Sequence, residues 1–160
     1  MGSPMFSRRL IFFMGIVGLG LSIQGDTDML GPLTREAILK DHPEWQEVVA
    51  LYQPDSPAID GLKVFNRPVQ VEVFLGTWCP DSKAHVSEFF KVLDLTDNAL
   101  ISATFIGIPR DKTQRSEYYQ GKDIQKLPTF LVFVEGKEKG RIVEVPLISM
   151  EGDLLDILLR

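Results

Sequence analysis

The chain has 160 residues, of which 17 are Lys or Arg and 22 are Asp or Glu, so its formal charge at pH 7 is −5. This length suits one domain with its own core, and the 44% of hydrophobic residues argues against a disordered chain. No basic stripe is present to displace the counterions of a nucleic acid, and we therefore expect no nucleic-acid partner.

The first 25 residues predict a signal peptide or an N-terminal anchor. Arg8 and Arg9 precede an apolar run at 10–23, which glycines interrupt. The run is short for a bilayer span but suits the core of a secretory signal. We expect an exported protein of the periplasm or cell envelope, which would contact the membrane only if this segment is uncleaved.

Residues 29–61 predict an N-terminal helical extension and loop. Thr34 can cap a first short helix that runs through Leu39, and Pro43 suits the start of a second helix. The stretch at 53–61 contains Pro, Asp and Gly and predicts a connecting loop. The apolar face of the second helix is formed by residues at helical spacing, which are Trp45, Val48, Val49 and Tyr52.

Residues 62–160 predict a single α/β domain. Alternating apolar residues or short β-branched runs predict strands, whereas apolar residues at helical spacing predict helices. A parallel β-α-β unit followed by an antiparallel hairpin predicts a three-layer α/β/α architecture with a mixed central sheet. We expect strands at 69–75, 101–108, 129–134 and 141–145, and helices at 81–95, within 110–124 and after the capping residue Ser149.

Cys79 is the only cysteine, and it stands between a predicted strand and a predicted helix. A helix N-terminus favours a thiolate, which is the nucleophilic form of cysteine, through its unpaired N–H groups and its dipole. An inert cysteine more often lies within a periodic apolar run, whereas the neighbours here are Trp78, Pro80, Asp81 and Ser82. We therefore expect a reactive thiol. One cysteine and two histidines give no metal-ligand set, and we expect no cofactor.

Three segments of residues 62–160 resemble the thioredoxin family. They are VEVFLGTWCPDSK at 71–83, KLPTFLVF at 126–133 and EGKEKGRIVEV at 135–145. They are similar to the family's strand with its W-C-x-x-C-K corner and to its Pro-Thr before an antiparallel hairpin. The resemblance implies a thioredoxin fold, Cys79 as the attacking thiol, and a cis Leu127–Pro128 bond that faces it. The implied substrate groove consists of Trp78, Pro80, Asp81, Leu127, Pro128 and Thr129.

Two positions depart from the family's pattern. Ser82 stands where the family has its second, resolving cysteine, and a hydroxyl cannot replace a thiol in releasing a mixed disulfide. Val73 stands where the family has a buried acid, and Glu72 alternates onto the opposite face. Ser82 can still donate a hydrogen bond to the Cys79 thiolate, so both are candidate catalytic residues. The sequence leaves open whether Ser82 is native or an engineered replacement of cysteine.

These features predict an exported thioredoxin-like protein that performs thiol–disulfide exchange through Cys79. Its partners would be a protein or small-molecule thiol or disulfide substrate and an external reducing thiol. The alternative is a redox-inactive thioredoxin-fold module that binds extended peptides or protein partners beside Pro128. The missing resolving cysteine favours binding, whereas the Trp-Cys-Pro corner favours chemistry. His85 falls on another side of the helix from Cys79, so we expect no Cys–His catalytic pair.

Overall fold

The computed structural model describes residues 28–160, and the export signal or anchor expected in residues 1–25 lies outside them. The described part of the chain has five β-strands, five α-helices and one 3₁₀ helix. None of its helices is long and apolar enough to cross a membrane. In chain order the elements are β1 (Gly31–Leu33), α1 (Arg35–Asp41), α2 (Glu44–Leu51), α3 (Ser56–Lys63), β2 (Val69–Leu75), α4 (Pro80–Thr96), β3 (Ile101–Gly107), the 3₁₀ helix (Lys112–Glu117), β4 (Thr129–Val134), β5 (Lys137–Val143) and α5 (Met150–Leu159).

The strands form one mixed sheet in the order β1-β3-β2-β4-β5. The central pair, β2 and β3, is parallel, and the other neighbouring pairs are antiparallel. Parallel neighbours need a long crossover connection, and α4 supplies it. The prediction of an α/β protein with a mixed central sheet is confirmed, and the flanking helices are compatible with a three-layer α/β/α fold.

One face of the sheet, which we call the helix face, carries the larger hydrophobic core. Alternation along β2 turns Val71 and Val73 towards α2 and α4. The ring centroids of Phe89 and Phe130 are 5.4 Å apart in an edge-to-face arrangement, a geometry that aromatic pairs favour. This packing fixes α4 against the sheet, and α4 in turn positions the cysteine at its N-terminus.

The opposite face, which we call the loop face, is covered by the segment 108–127 and not by a long helix. Phe74, Ile106 and Leu131 are buried beneath it. The helix expected within 110–124 is reduced to the 3₁₀ helix, whose first turn is closed by the Asp111 carboxylate accepting a hydrogen bond from the Thr113 N–H at 2.9 Å. The segment lacks an apolar face at helical spacing, so nothing extends this turn into an α-helix.

The prediction of a loop over 53–61 is wrong, because α3 occupies most of that stretch. Asp55 caps α3, and its Oδ2 accepts a hydrogen bond from the Ala58 N–H at 3.1 Å. Pro57 lies in the first turn, where the missing N–H costs nothing. Pro and Asp therefore mark a helix start here. Ile59 and Leu62 of this helix join the same core as the strands.

The last strand is displaced from its expected position, because β5 covers Lys137–Val143 and not 141–145. Glu135 and Gly136 both have positive φ, 52° and 78°, and they make a two-residue turn from β4 into β5. Such turns match the twist of a hairpin. The polar residues after the turn are tolerated because β5 lies at an edge of the sheet.

The helix caps predicted at Thr34 and Ser149 are confirmed. Thr34 caps α1 by accepting from the Ala37 N–H at 3.1 Å, and the helix extends two residues beyond Leu39. Ser149 caps α5 in the same way from the Gly152 N–H at 3.1 Å. The sequence gives no signal for β1, which is three residues long and is held by antiparallel pairing with β3.

Candidate functional site

Cys79 lies at the junction between β2 and α4. Its N–H donates to the Gly76 carbonyl at 2.9 Å, and its own carbonyl accepts the first helical hydrogen bond from Lys83 at 3.0 Å. Cys79 is therefore the N-cap residue of α4, but its side chain makes no capping hydrogen bond. The sulfur is placed where the first-turn N–H groups and the helix dipole favour negative charge.

The thiol of Cys79 is mostly enclosed, since the residue is 9% exposed. Its Sγ lies 3.8 Å from the carbonyl oxygen of Leu127, a long contact in which the S–H is the donor. The Leu127–Pro128 peptide bond is cis. The predicted cis bond and the predicted proximity of Leu127 to Cys79 are both confirmed. The substrate-binding role of this loop stays a prediction.

Ser82 is fully buried, at 0% exposure, in the first turn of α4. Its Oγ accepts a hydrogen bond from the Gly76 N–H at 3.1 Å. This bond ties the end of β2 to the start of α4 and satisfies a backbone group that would be costly to leave unpaired. The hydroxyl proton is not used in it, so the predicted donation to a Cys79 thiolate remains open to Ser82.

Trp78, the residue before the cysteine, has an indole ring that is fixed by several contacts. Its indole Nε1–H donates to the Ile108 carbonyl at 2.9 Å. A Cβ atom on Gly76 would lie 2.6 Å from an indole carbon, so only glycine permits this close approach. The guanidinium carbons of Arg110 and Arg115 lie 5.5 and 5.1 Å from the indole centroid, within the range of cation–π attraction.

Both arginines belong to the loop segment that follows β3. Arg115 is fixed by donation from Nε to the Pro109 carbonyl at 2.9 Å and from Nη2 to the Arg110 carbonyl at 3.0 Å. The backbone N–H of Arg110 donates to the Asp28 carboxylate at 2.9 Å. The beginning of the described chain therefore runs beside the Trp78 corner.

The remaining predicted groove residues lie in the same two segments. Pro80 is the first residue of α4, and Asp81 is an exposed acid in its first turn. Thr129 is buried, and its Oγ1 donates to the Lys126 carbonyl at 2.7 Å. Its side chain therefore shapes the loop that carries Leu127 and Pro128.

Position 73, where the resemblance implied a buried acid, carries valine. Val73 is buried in the core of the helix face. Glu72 points to the loop face, where it forms an ion pair with Lys122. The Nδ1 atom of His85 lies 2.8 Å from the Glu88 carboxylate, so this ring nitrogen has a partner on α4 itself. Among residues 28–160, no group of three or more His, Cys, Asp or Glu side chains is placed to hold a metal ion.

The sequence analysis missed Arg110 and Arg115 as site residues. The segment containing them is polar, so it predicts only a surface element. A usable signal was present, because the carboxyl ends of parallel neighbours lie at the same sheet edge. Arg110 follows β3 as Cys79 follows β2, so the topology brings the two together.

Comparisons with known proteins support the fold. No family model and no curated protein matches the chain. The crystal structure of an HIV epitope scaffold is 20% identical with a TM-score of 0.61, covering 80% of this chain and 93% of that one. PA1234, a protein of unknown function from Pseudomonas aeruginosa, is 19% identical with a TM-score of 0.54, covering 72% of this chain and 82% of that one.

Proposed function

We propose that this chain is an exported thioredoxin-like protein that performs thiol–disulfide exchange through Cys79 and is regenerated by an external thiol. One observation carries the proposal, which is the placement of the sulfur at the N-terminus of α4 without a capping hydrogen bond. The Leu127 carbonyl lies 3.8 Å from it, and Trp78 is the residue before Cys79 in the chain. The proposal of export rests only on the amino-acid pattern of residues 1–25.

In the proposed exchange, each step is the attack of one thiolate on one disulfide. Cys79 loses its proton to solvent, attacks one sulfur of a substrate disulfide and forms a mixed disulfide, while the other substrate sulfur leaves as a thiolate and is protonated. A thiolate from an external thiol then attacks the Cys79 sulfur and releases the second substrate thiol. A second external thiol frees Cys79 and forms a disulfide with the first. Two electrons thus pass from two external thiols to the substrate disulfide.

The slow step in this scheme is the release of the mixed disulfide. A resolving cysteine would attack it from within the chain, at an effective concentration far above that of an external thiol. Ser82 occupies that position here and is held by Gly76. Without external thiol we therefore expect Cys79 to stay joined to its substrate.

The test is a trapping experiment with insulin as the disulfide substrate. The reduced chain is mixed with insulin and separated without reductant, and adducts are identified by mass spectrometry. We expect a covalent adduct at Cys79 that Cys79→Ser does not form. Addition of glutathione should release it.

A second test asks whether an added resolving thiol releases the mixed disulfide and gives catalytic turnover. Ser82→Cys should raise the rate of insulin reduction by about ten-fold or more, because the second thiol acts intramolecularly. Ser82→Ala is the matched control, since it removes the bond to Gly76 without adding a thiol. Failure of both tests, with Cys79 alkylating no faster than a free cysteine at neutral pH, would refute exchange.

That failure would favour the alternative, a redox-inactive module that binds extended peptides beside Pro128. The enclosure of Cys79 and the structural bond made by Ser82 favour this alternative. Peptide binding that survives Cys79→Ser and needs no disulfide in the ligand would distinguish it from exchange.

A further inference from the structure

We infer that the surface formed by Trp78, Arg110 and Arg115, which we call the arginine platform, selects substrates with an acidic side chain next to their reactive disulfide. This inference rests on the proposed exchange at Cys79 and names the class of substrate. Trp78 directly precedes Cys79 in the chain, and the two guanidinium groups lie 5.5 and 5.1 Å from its indole centroid.

The first argument is local charge. The whole chain carries a net charge of −5, but the loop after β3 is cationic through Arg110, Lys112 and Arg115. The one acid among them, Asp111, accepts from the Thr113 N–H at 2.9 Å and from its hydroxyl at 2.8 Å. Those hydrogen bonds hold the pKa of Asp111 below its ordinary value. Its carboxylate is therefore engaged mainly within its own turn, with a smaller attraction to the Arg115 guanidinium.

The second argument is availability. The side chain of Arg110 is 62% exposed, and its Nε lies 3.9 Å from the Asp28 carboxylate, at the limit of an ion pair. Arg115 is different, since two of its nitrogens already donate to backbone carbonyls. Arg115 therefore holds its guanidinium in a fixed position, and Arg110 has N–H donors that face solvent. A guanidinium suits a carboxylate because its planar fork can donate two parallel hydrogen bonds.

The third argument is reach. A substrate held by a disulfide to Cys79 must pass close to the neighbouring Trp78. An extended chain advances about 3.3 Å per residue, so we expect residues adjacent to the substrate cysteine to come within reach of Arg110. Asp81 lies on the α4 side of the cysteine and would repel an acid there. We therefore expect the preference at one flank of the substrate cysteine.

The experiment uses short peptides in which a single cysteine forms a disulfide with 2-thiopyridine, an uncharged leaving group. Cys79 attacks the peptide sulfur, the new disulfide forms, and released pyridine-2-thione is followed by absorbance. Asp, Asn or Lys is placed on either side of the cysteine. We expect the Asp peptide to react about two- to five-fold faster than the Asn peptide at one flank, which is the range for an exposed ion pair. The Lys peptide should be slower than both.

Variants assign the preference to the platform. Arg110→Gln should bring the Asp and Asn rates together, and Arg110→Lys should restore part of the difference. Lys139→Gln is the matched charge control, because it lies in β5 near the Val134 end of the sheet, away from Cys79. Salt at about 1 M should remove the preference by screening.

Two results would overturn the inference. One is equal reaction of the Asp and Asn peptides with the wild-type chain, and the other is a preference that Arg110→Gln leaves intact. If the Asn peptide itself does not react with Cys79, the proposed exchange fails and the inference fails with it. A reactive Asn peptide without an acidic preference refutes only the arginine platform.

Discussion

The two faces of the sheet are built in different ways. On the helix face, α2 and α4 bury aromatic side chains such as Trp45 and Phe90 completely. On the loop face, the segment 108–127 covers Phe74 and Leu131 with a 3₁₀ helix and irregular chain. Both faces exclude water, but only the helix face does so with long regular elements.

The two faces contribute differently to the surroundings of Cys79. The helix face fixes α4 and with it the position of Cys79. The arginine platform lies at the rim of the loop face. Lys122 also lies on this face, where it forms an ion pair with Glu72 and its Nζ lies over the rings of Phe74 and Phe133. Irregular segments on a rigid scaffold commonly carry binding residues. We therefore expect stability to depend mainly on the helix face and substrate preference on the loop face.

The largest expected effect compares one aromatic side chain on each face. Phe90→Ala should lower the free energy of unfolding by about 3–5 kcal/mol, because a fully buried ring leaves a cavity. Tyr119→Ala removes a half-buried ring that meets Phe74 edge-on at 6.5 Å, and should cost about 1 kcal/mol. Urea unfolding measures both. Equal losses would contradict the assignment of stability to the helix face.

The next largest expected effect is the loss of stability when a buried carboxylate is replaced. Glu151, at the start of α5, is 1% exposed. It accepts hydrogen bonds from the Tyr52 hydroxyl at 2.8 Å and the Asp55 N–H at 2.9 Å. Burial alone would raise the pKa of Glu151, but the hydrogen bonds from the Asp55 and Glu151 backbone N–H groups and from Tyr52 outweigh it and hold the pKa below its usual value of 4.5.

Glu151→Gln should therefore destabilise the chain by about 1.5–3 kcal/mol near neutral pH, the range for hydrogen bonds to a charged group. Because the folded-state pKa is depressed, the advantage of wild type is full above pH 4.5 and is lost as the pH falls through the lower folded-state value. Unfolding measured from pH 7 down to pH 3 tests this. Glu47→Gln, at an exposed position of α2, is the control and should show neither effect.

The smallest expected effect is on the loop face. Lys122→Met removes the ion pair with Glu72 but keeps an apolar stem over the two aromatic rings, so it should cost about 1 kcal/mol or less. A double-mutant cycle with Glu72→Gln isolates the pair. A coupling energy above about 2 kcal/mol would show that the loop face is held more tightly than the comparison implies.

Local rules were sufficient for much of the fold. Alternation along β2 and the apolar run of β4 gave the bounds that the structure shows, and Thr34 and Ser149 cap the helices expected of them. These signals work because the side-chain period of a strand and the capping of a helix depend on a few adjacent residues. The same local information placed Cys79 between β2 and α4.

Other elements needed contacts between distant parts of the chain. Asp and Pro open a helix as readily as they form a turn, and α3 was settled by the burial of Ile59 and Leu62 against the core. The shift of β5 followed from a two-residue turn at Glu135 and Gly136, where the sequence offered two glycines for one hairpin.

For the candidate site, the sequence by itself determined which residue is the thiol and that Ser82 follows it by three positions, whereas the proximity of Leu127 was expected only from a resemblance. Only the tertiary structure decided that Ser82 bonds to Gly76 and that two arginines cover Trp78. The physical reason is separation along the chain. Arg110 reaches Trp78 because β2 and β3 are parallel and end at one edge, a fact of sheet pairing that no local pattern encodes.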